Sequence, residues 1–254
     1  MDKEWFINEF ENKASETIRK YKLINNADKV IVACSGGKDS TTVLYLLNKF
    51  GYKPEALILD LAIGSWSETN LTNIKTFCKE EGIKLHVVSM REEFGCSICY
   101  IKSIVGQKQK LQSCTICGIL KRWLLNKKAR GLGATKLATG HNLDDEAQTV
   151  LLNVFNGNPK LGIKSGPKVG IIRDRMFVTR IKPLFFHRER DVRRYSELLG
   201  FPVLYDKCPC SVGSFRSLIR EFLNKIEKDE PETKQNILSM WMVLSPLLAG
   251  CKTG

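Results

Sequence analysis

Ser35-Gly36-Gly37-Lys38-Asp39-Ser40 stands between the apolar run Val30-Ile31-Val32-Ala33 and a segment whose Val43, Leu44, Leu46 and Leu47 recur at helical spacing. The order reads strand, tight turn, helix. Two adjacent glycines permit φ > 0 and close approach of a ligand to the backbone, and the new helix points its free N–H groups and positive dipole end at that ligand. Lys38 adds a charge and the Ser35 and Ser40 hydroxyls add hydrogen bonds, so the turn is an anion cradle. A Walker A loop would need Gly at position 32, where Val stands, and Ser or Thr at position 39, where Asp stands; no G-x-G-x-x-G follows the strand either. An ordinary glycine-rich βα turn is the plainer reading of Gly-Gly alone. The whole hexapeptide behind a strand favours the cradle.

Outward from that turn the chain alternates. Residues 3 to 22 place Phe6, Phe10, Ala14, Ile18 and Tyr21 on one helix face. Downstream, Glu55–Asp60, Lys84–Val88 and Lys136–Thr139 read as strands, helices are expected at about Ser67–Glu81 and after Gly140, and His187–Leu199 with Pro202–Tyr205 adds a last helix and strand. Strands alternating with helices imply right-handed crossovers, hence a doubly wound α/β domain whose mainly parallel five-stranded sheet is covered by helices on both faces. Ligands of such sheets sit at the carboxyl ends of the strands. Leu59 and Asp60 are placed there to reach a nucleoside, with a turn role for Asp60 equally open. So is Gly140-His141-Asn142-Leu143-Asp144-Asp145-Glu146, whose carboxylates either cap the next helix or hold Mg²⁺ against a phosphate.

The chain divides into an N-terminal helix (1–24), the α/β domain (25–210) and a C-terminal helical segment (211–254) that reads as a polyanion contact or a dimer seam. Its 254 residues carry 43% hydrophobic and 26% charged side chains, as a water-soluble globular chain does. A formal charge of +13 favours a polyanionic partner. The mixed-charge start and the lack of a bilayer-length apolar run predict a cytoplasmic protein without a membrane role. Between Asn156 and Lys182, glycines alternate with Lys160, Lys164, Lys168, Arg173 and Arg180, which reads as a phosphate-backbone contact or, on the bland alternative, a solvated loop. Arg216 and Arg220 share a face of a later helix whose apolar face is Leu218, Ile219, Phe222, Leu223 and Ile226; Pro231–Leu248 reads as a further apolar helix.

Nine cysteines in such a chain point to metal or redox chemistry. Cys96/Cys99 and Cys114/Cys117 form two C-x-x-C pairs, and the simplest local reading joins them in a Cys₄ zinc site. The competing reading takes Cys114, Cys117 and Cys208 as three ligands of a [4Fe–4S] cluster with one iron open.

The hexapeptide resembles the pyrophosphate loop of the PP-loop, or N-type, ATP pyrophosphatases, which implies an adenine-nucleotide α-hydrolase-like fold and ATP split between its α and β phosphates. A series in order is similar to the iron–sulfur-dependent tRNA 2-thiolation enzymes: Cys114-Thr115-Ile116-Cys117-Gly118-Ile119-Leu120-Lys121-Arg122, then Gly140 to Gln148, Arg180-Ile181-Lys182-Pro183-Leu184, and Cys208-Pro209 followed by Arg216 and Phe222-Leu223. The resemblance covers about residues 25 to 230. It implies a tRNA sulfurtransferase, uridine-directed for preference, that uses ATP and Mg²⁺. Cys114, Cys117 and Cys208 would hold the [4Fe–4S] cluster. Lys121, Asp145 and Asp39 would be catalytic, the last two near Mg²⁺. ATP would meet Ala33, Ser35, Gly36, Gly37, Lys38, Asp39, Ser40, Leu59, Asp60, Gly140 and His141. RNA would meet Lys160, Lys164, Lys168, Arg173, Arg180, Arg216 and Arg220. The sulfur donor would be inorganic sulfide or a sulfur-carrier protein, and the assembly a homodimer. Cys96/Cys99 lies outside that pattern and is left as a zinc site or a resolving dithiol; Cys210 and Cys251 have no assigned role. Outside this resemblance stand a PP-loop enzyme with another acceptor and a structural zinc, and a non-catalytic basic RNA-binding module.

Overall fold

A computed structural model describes residues 2–109, 113–158, 166–170, 177–206, 208–209 and 214–250, with the side chains of 107–109, 113–114 and 248–250 outside that description. Helix α1 (Lys3–Lys20) leads into β1 (Val30–Cys34), α2 (Lys38–Lys49), β2 (Glu55–Asp60), α3 (Gly64–Glu80) and β3 (Leu85–Ser89). Then come α4 (Met90–Phe94), α5 (Ile98–Gln109), α6 (Ser113–Gly131), β4 (Lys136–Ala138) and α7 (Leu143–Phe155). The chain closes with β5 (Lys168–Val169), β6 (Thr179–Ile181), α8 (Glu189–Leu198), α9 (Phe215–Asp229) and α10 (Thr233–Gly250).

The sheet order is β3-β2-β1-β4-β6-β5, with five parallel strands and β5 antiparallel at one edge. β1 pairs with both β2 and β4, so the chain winds outward to β3 on one side and resumes on the other. That reversal opens a crevice at the carboxyl ends of β1 and β4. Val30, Ile31 and Val32 are buried on both faces of the sheet, each worth roughly 1.5–3 kcal/mol of burial, which is why β1 reads as a continuous apolar run.

The strand expected at Pro202–Tyr205 is not in the sheet: Leu204 makes only an isolated parallel bridge to Gly37. Thr179–Ile181 takes the place beside β4 instead, and Pro202 has no N–H to give a ladder. Both β5 and β6 fall in the stretch read as a basic loop.

Helix α1 belongs to the same apolar core as β1 and α2, through Phe6, Phe10, Ala14 and Ile18. Phe10 stacks on Tyr195 of α8 with ring centroids 4.2 Å apart, and the Tyr195 hydroxyl donates to Glu11 at 2.7 Å. Of the apolar face expected on α9, only Ile219 and Leu223 are buried, against Ala147 of α7, while Leu218 and Phe222 are exposed. No helix among the described residues is long and apolar enough to cross a membrane.

Candidate active site

The crevice is a hollow of about 620 Å³ walled by the carboxyl ends of β1, β2 and β4, the first turns of α2 and α7, and one side of α6. Its shape is set first by two glycines. Gly36 has φ +77°, and a Cβ there would lie 2.6 Å from the Asn70 backbone oxygen, so the loop can turn this tightly against α3 only without a side chain. A Cβ on Gly140 would lie 2.7 Å from the Asp39 carbonyl carbon and the Ser40 nitrogen; the end of β4 therefore touches the start of α2 directly.

Within the loop, the Ser35 N–H donates to Ser40 Oγ at 3.1 Å and the Ser40 hydroxyl donates to the Gly37 carbonyl at 3.1 Å. Gly37 caps α2 with no side-chain hydrogen bond, and Asp39 is the acidic residue of the helix's first turn. Ala33, Ser35, Asp39, Ser40, Leu59 and Asp60 all wall the hollow. Lys38 does not. It turns to Asp39 at 2.9 Å and Glu189 at 3.2 Å, and although burial works against its charge, those two carboxylates raise its pKa. Asp60 accepts from the Ala62 N–H at 2.9 Å, so it serves the turn and the hollow together.

Asp39 and Asp145 face each other through Asn142. The Asn142 amide donates to Asp39 at 3.0 Å, and its side-chain oxygen accepts from the Asp145 N–H at 3.1 Å in a full capping box for α7. Burial pushes the Asp39 pKa up; Lys38 opposes this and the Asp145 charge adds to it. Two carboxylates facing one cavity suit a divalent cation. Asp145 also accepts from Arg216 at 3.2 Å, and Arg216 donates to Gln148 at 3.1 Å. His141 lines the hollow with Nδ1 2.9 Å from the Thr139 hydroxyl, and burial holds its pKa below the usual imidazole value.

Across from the loop, Gly118, Lys121, Arg122 and Leu125 project from α6, the i, i+3, i+4, i+7 face of that helix. Arg180 and Lys182 arrive from β6 and the residue after it. Lys182 pairs with buried Glu146 at 2.6 Å; the Arg180 pKa is lowered by burial and then by Arg122 beside it. Trp66, Asn70, Arg122 and Lys182 are wall residues that sequence reasoning did not assign to the site. Helical spacing from Lys121 would have given Arg122 and Leu125; α3's contribution has no local signal.

Cys117 is half-buried on α6, one residue before Gly118, and packs against the apolar group of Leu59, Leu61 and Ile98. Cys208 is half-buried and follows Leu204, the residue bridged to Gly37, by four positions. Cys114 is in the first turn of α6 with its side chain outside the described residues. Cys117 and Cys208 do not line the hollow; their thiols fit an iron–sulfur centre by donor type. Among the described residues no three His, Cys, Asp or Glu side chains gather as a metal site; the Cys114 side chain, which both the zinc and the cluster readings use, lies outside them.

Of the expected RNA contacts, Arg180 and Arg216 reach the hollow. Lys168 donates to the Lys22 carbonyl at 3.0 Å, and Arg220 keeps a buried Nε with no hydrogen-bond partner. Lys160, Lys164, Arg173, Cys210 and Cys251 lie outside the described residues.

Residues 7–227 match the family model described as a PP-loop domain. A tRNA-5-methyluridine(54) 2-sulfurtransferase of Pyrococcus horikoshii is 36% identical over 235 residues, 92% of this chain and 73% of the relative. A cytoplasmic tRNA 2-thiolation protein 1 of Chlamydomonas reinhardtii is 32% identical over 236 residues, 90% of this chain and 64% of the relative. The solved U34-tRNA thiolase NcsA of Methanococcus maripaludis, with its [4Fe–4S] cluster, superposes with a TM-score of 0.83 at 31% identity over 96% of this chain and 81% of that one. An NH3-dependent NAD synthetase of Campylobacter jejuni shares the fold at 14% identity and a TM-score of 0.51, covering 100% of this chain and 98% of that one.

Proposed function

The chain belongs to the PP-loop domain family, and from that premise we propose that it is an ATP-dependent tRNA sulfurtransferase that replaces the C2 oxygen of a uridine with sulfur. The relatives named for tRNA thiolation support the substrate class, and both positions that their names print are uridines. The observation that carries the reading is that the glycine loop, Asp145 and Lys121 wall one hollow, so a nucleotide and a nucleobase can meet there.

Ser35 to Ser40 hold the β and γ phosphates against the leading end of α2, and Ala33, Leu59, Asp60, Gly140 and His141 receive the nucleoside and α-phosphate. Asp39 and Asp145 are the residues that would hold Mg²⁺. Attack of the uridine O2 on the α-phosphorus breaks the α–β bridging bond; pyrophosphate leaves, and the base carries AMP on oxygen. Lys121 neutralises charge that gathers at phosphorus, a role worth about 10²–10³ in rate. A sulfur nucleophile then adds at C2 and AMP departs with the oxygen. Cys114, Cys117 and Cys208 would hold a [4Fe–4S] cluster, whose open iron supplies a position for a sulfur species. Arg122, Arg180, Lys182 and Arg216 draw the tRNA backbone to the mouth, and basic residues at 160, 164, 168, 173 and 220 extend that contact. The protein works in the cytoplasm as a homodimer, with sulfide or a sulfur-carrier protein as donor.

The test is pyrophosphate release by anaerobically reconstituted protein with ATP, sulfide and tRNA, followed by nucleoside mass spectrometry. Release that depends on tRNA, with a 2-thiouridine product, is expected. Release indifferent to tRNA, or RNA without new sulfur, overturns the reading.

A further inference from the structure

Cys96-Ser97-Ile98-Cys99 is the one C-x-x-C pair that the proposed reaction leaves unused. It spans the junction of two helices. Helix α4 ends at Gly95 with φ +72°, where the Gly95 N–H bonds to the Arg91 carbonyl at 2.8 Å, and the chain turns into α5. Ser97 caps that turn, its hydroxyl accepting from the Tyr100 N–H at 3.3 Å. Cys99 is therefore in the first turn of a 12-residue helix, is exposed, and has no acidic residue sharing that turn. The positive end of a helix favours thiolate over thiol. Cys96 is half-buried and donates its S–H to the Phe94 carbonyl at 3.4 Å.

The second of the two residues between the thiols ties them to the active site. Ile98 is fully buried and its N–H reaches the Leu61 carbonyl at 3.4 Å, while Leu61 walls the hollow. Ile98, Ile101 and Phe94 pack in the apolar group that also takes up Cys117. An exposed thiol and a half-buried one thus lie within two residues of Ile98, whose N–H meets a residue of the hollow's wall and whose helix packs against α6.

We propose that Cys96 and Cys99 are a sulfur-entry dithiol that accepts sulfane sulfur from a persulfide and releases it as sulfide next to the hollow; this rests on the sulfurtransferase reading and names how that site is supplied. The Cys99 thiolate attacks the terminal sulfur of a donor persulfide, a new S–S bond forms, the donor's S–S bond breaks and its thiolate leaves. The Cys96 thiolate then attacks the Cys99 sulfur and expels hydrosulfide, leaving a Cys96–Cys99 disulfide. The sulfane sulfur has gained two electrons and the two thiolates have lost them. A cellular dithiol reductant resets the pair.

Full-length, cluster-loaded protein treated anaerobically with glutathione persulfide tests this without ATP or tRNA. Tryptic cleavage after Arg91 and Lys102 isolates residues 92–102, which contain these two cysteines and no others. Wild type should yield that peptide with its internal disulfide and an equivalent of hydrosulfide in solution. Cys96→Ser should keep an added sulfur atom on the peptide and lose hydrosulfide release, and Cys99→Ser should lose both sulfur uptake and release. Wild-type peptide that gains neither sulfur nor a disulfide, or Cys99→Ser protein that releases hydrosulfide like wild type, overturns the proposal. Failure of the sulfurtransferase reading shows elsewhere, as absent 2-thiouridine when wild type is given inorganic sulfide directly.

Discussion

Asp144 and Asp145 are neighbours in the first turn of α7, yet they serve regions built on opposite rules. Asp144 turns to the helical back, where it is 5% exposed, accepts the Glu189 N–H at 2.6 Å and pairs with Lys234, itself 3% exposed. Lys234 also donates to Asn224 and Glu227, each at 2.7 Å. Each of these charges has a fixed protein partner. Asp145 turns to the hollow, where Asp39 faces it and Arg122, Arg180, Lys182, Lys121 and Arg216 share the walls. There, like charges are held near one another: Asp145 adds to the burial that raises the Asp39 pKa, and Arg122 adds to the burial that lowers the Arg180 pKa. The back uses charge to close the fold. The hollow pairs some of its charges, Lys182 with Glu146 and Arg216 with Asp145, but also sets like charges side by side, which is how a site differs from a staple made of the same residue types.

Substitutions should separate the two rules. The largest stability effect is expected from Asp144→Ala, which takes one of two carboxylates from the buried Lys234 ammonium and the acceptor from the Glu189 N–H, and should cost about 3 kcal/mol in urea unfolding. If it costs no more than a surface change, the back is not the closed network its geometry indicates. Lys121→Ala should lower the tRNA-dependent rate about 10²–10³-fold, a barrier of roughly 3–4 kcal/mol, with unfolding unchanged. A parallel loss of stability would move Lys121 from chemistry to structure.

The third expectation concerns acid. His187 packs its ring at a tilt against Phe10 with centroids 4.4 Å apart, and its Nε2–H donates to the Phe10 carbonyl at 3.0 Å. Burial chiefly, with Lys13 adding and the Phe10 carbonyl opposing, lowers its pKa to about 4. The unfolded chain binds the proton near pH 6.5, so the stabilisation is complete above that value and is lost as pH falls toward 4, about 3 kcal/mol in all. Unfolding measured across that window should show the loss, and His187→Gln should flatten it. The smallest stability effect is that of Asp145→Ala, about 1 kcal/mol for a broken capping box, accompanied by loss of thiolation; a cost matching Asp144→Ala would erase the contrast.

Much of this was legible in the residues, for physical reasons. Strands buried on both faces must be apolar throughout, so β1 and β2 announce themselves, and tight turns that admit a ligand need glycine, so residues 35–40 and Gly140 do too. β6 was not legible because three residues, one of them Arg180, carry too little pattern, and the apolar Pro202–Tyr205 read more like a strand than the real one. Nor could sequence separate Asp144 from Asp145, since both fit an acidic first turn and only the packing of α7 against α10 tells which faces inward. Trp66 and Asn70 enter the hollow because α3 lies against the loop, a contact that no spacing along the chain records.

The most direct measurement is a paired one on anaerobically purified Cys208→Ala protein: iron and sulfide content beside 2-thiouridine formed with ATP, tRNA and sulfide. If the cysteine triad serves the nucleotide hollow, the variant should lose the cluster and the thiolated product together while still binding ATP. Retention of both the cluster and the product would contradict a shared site.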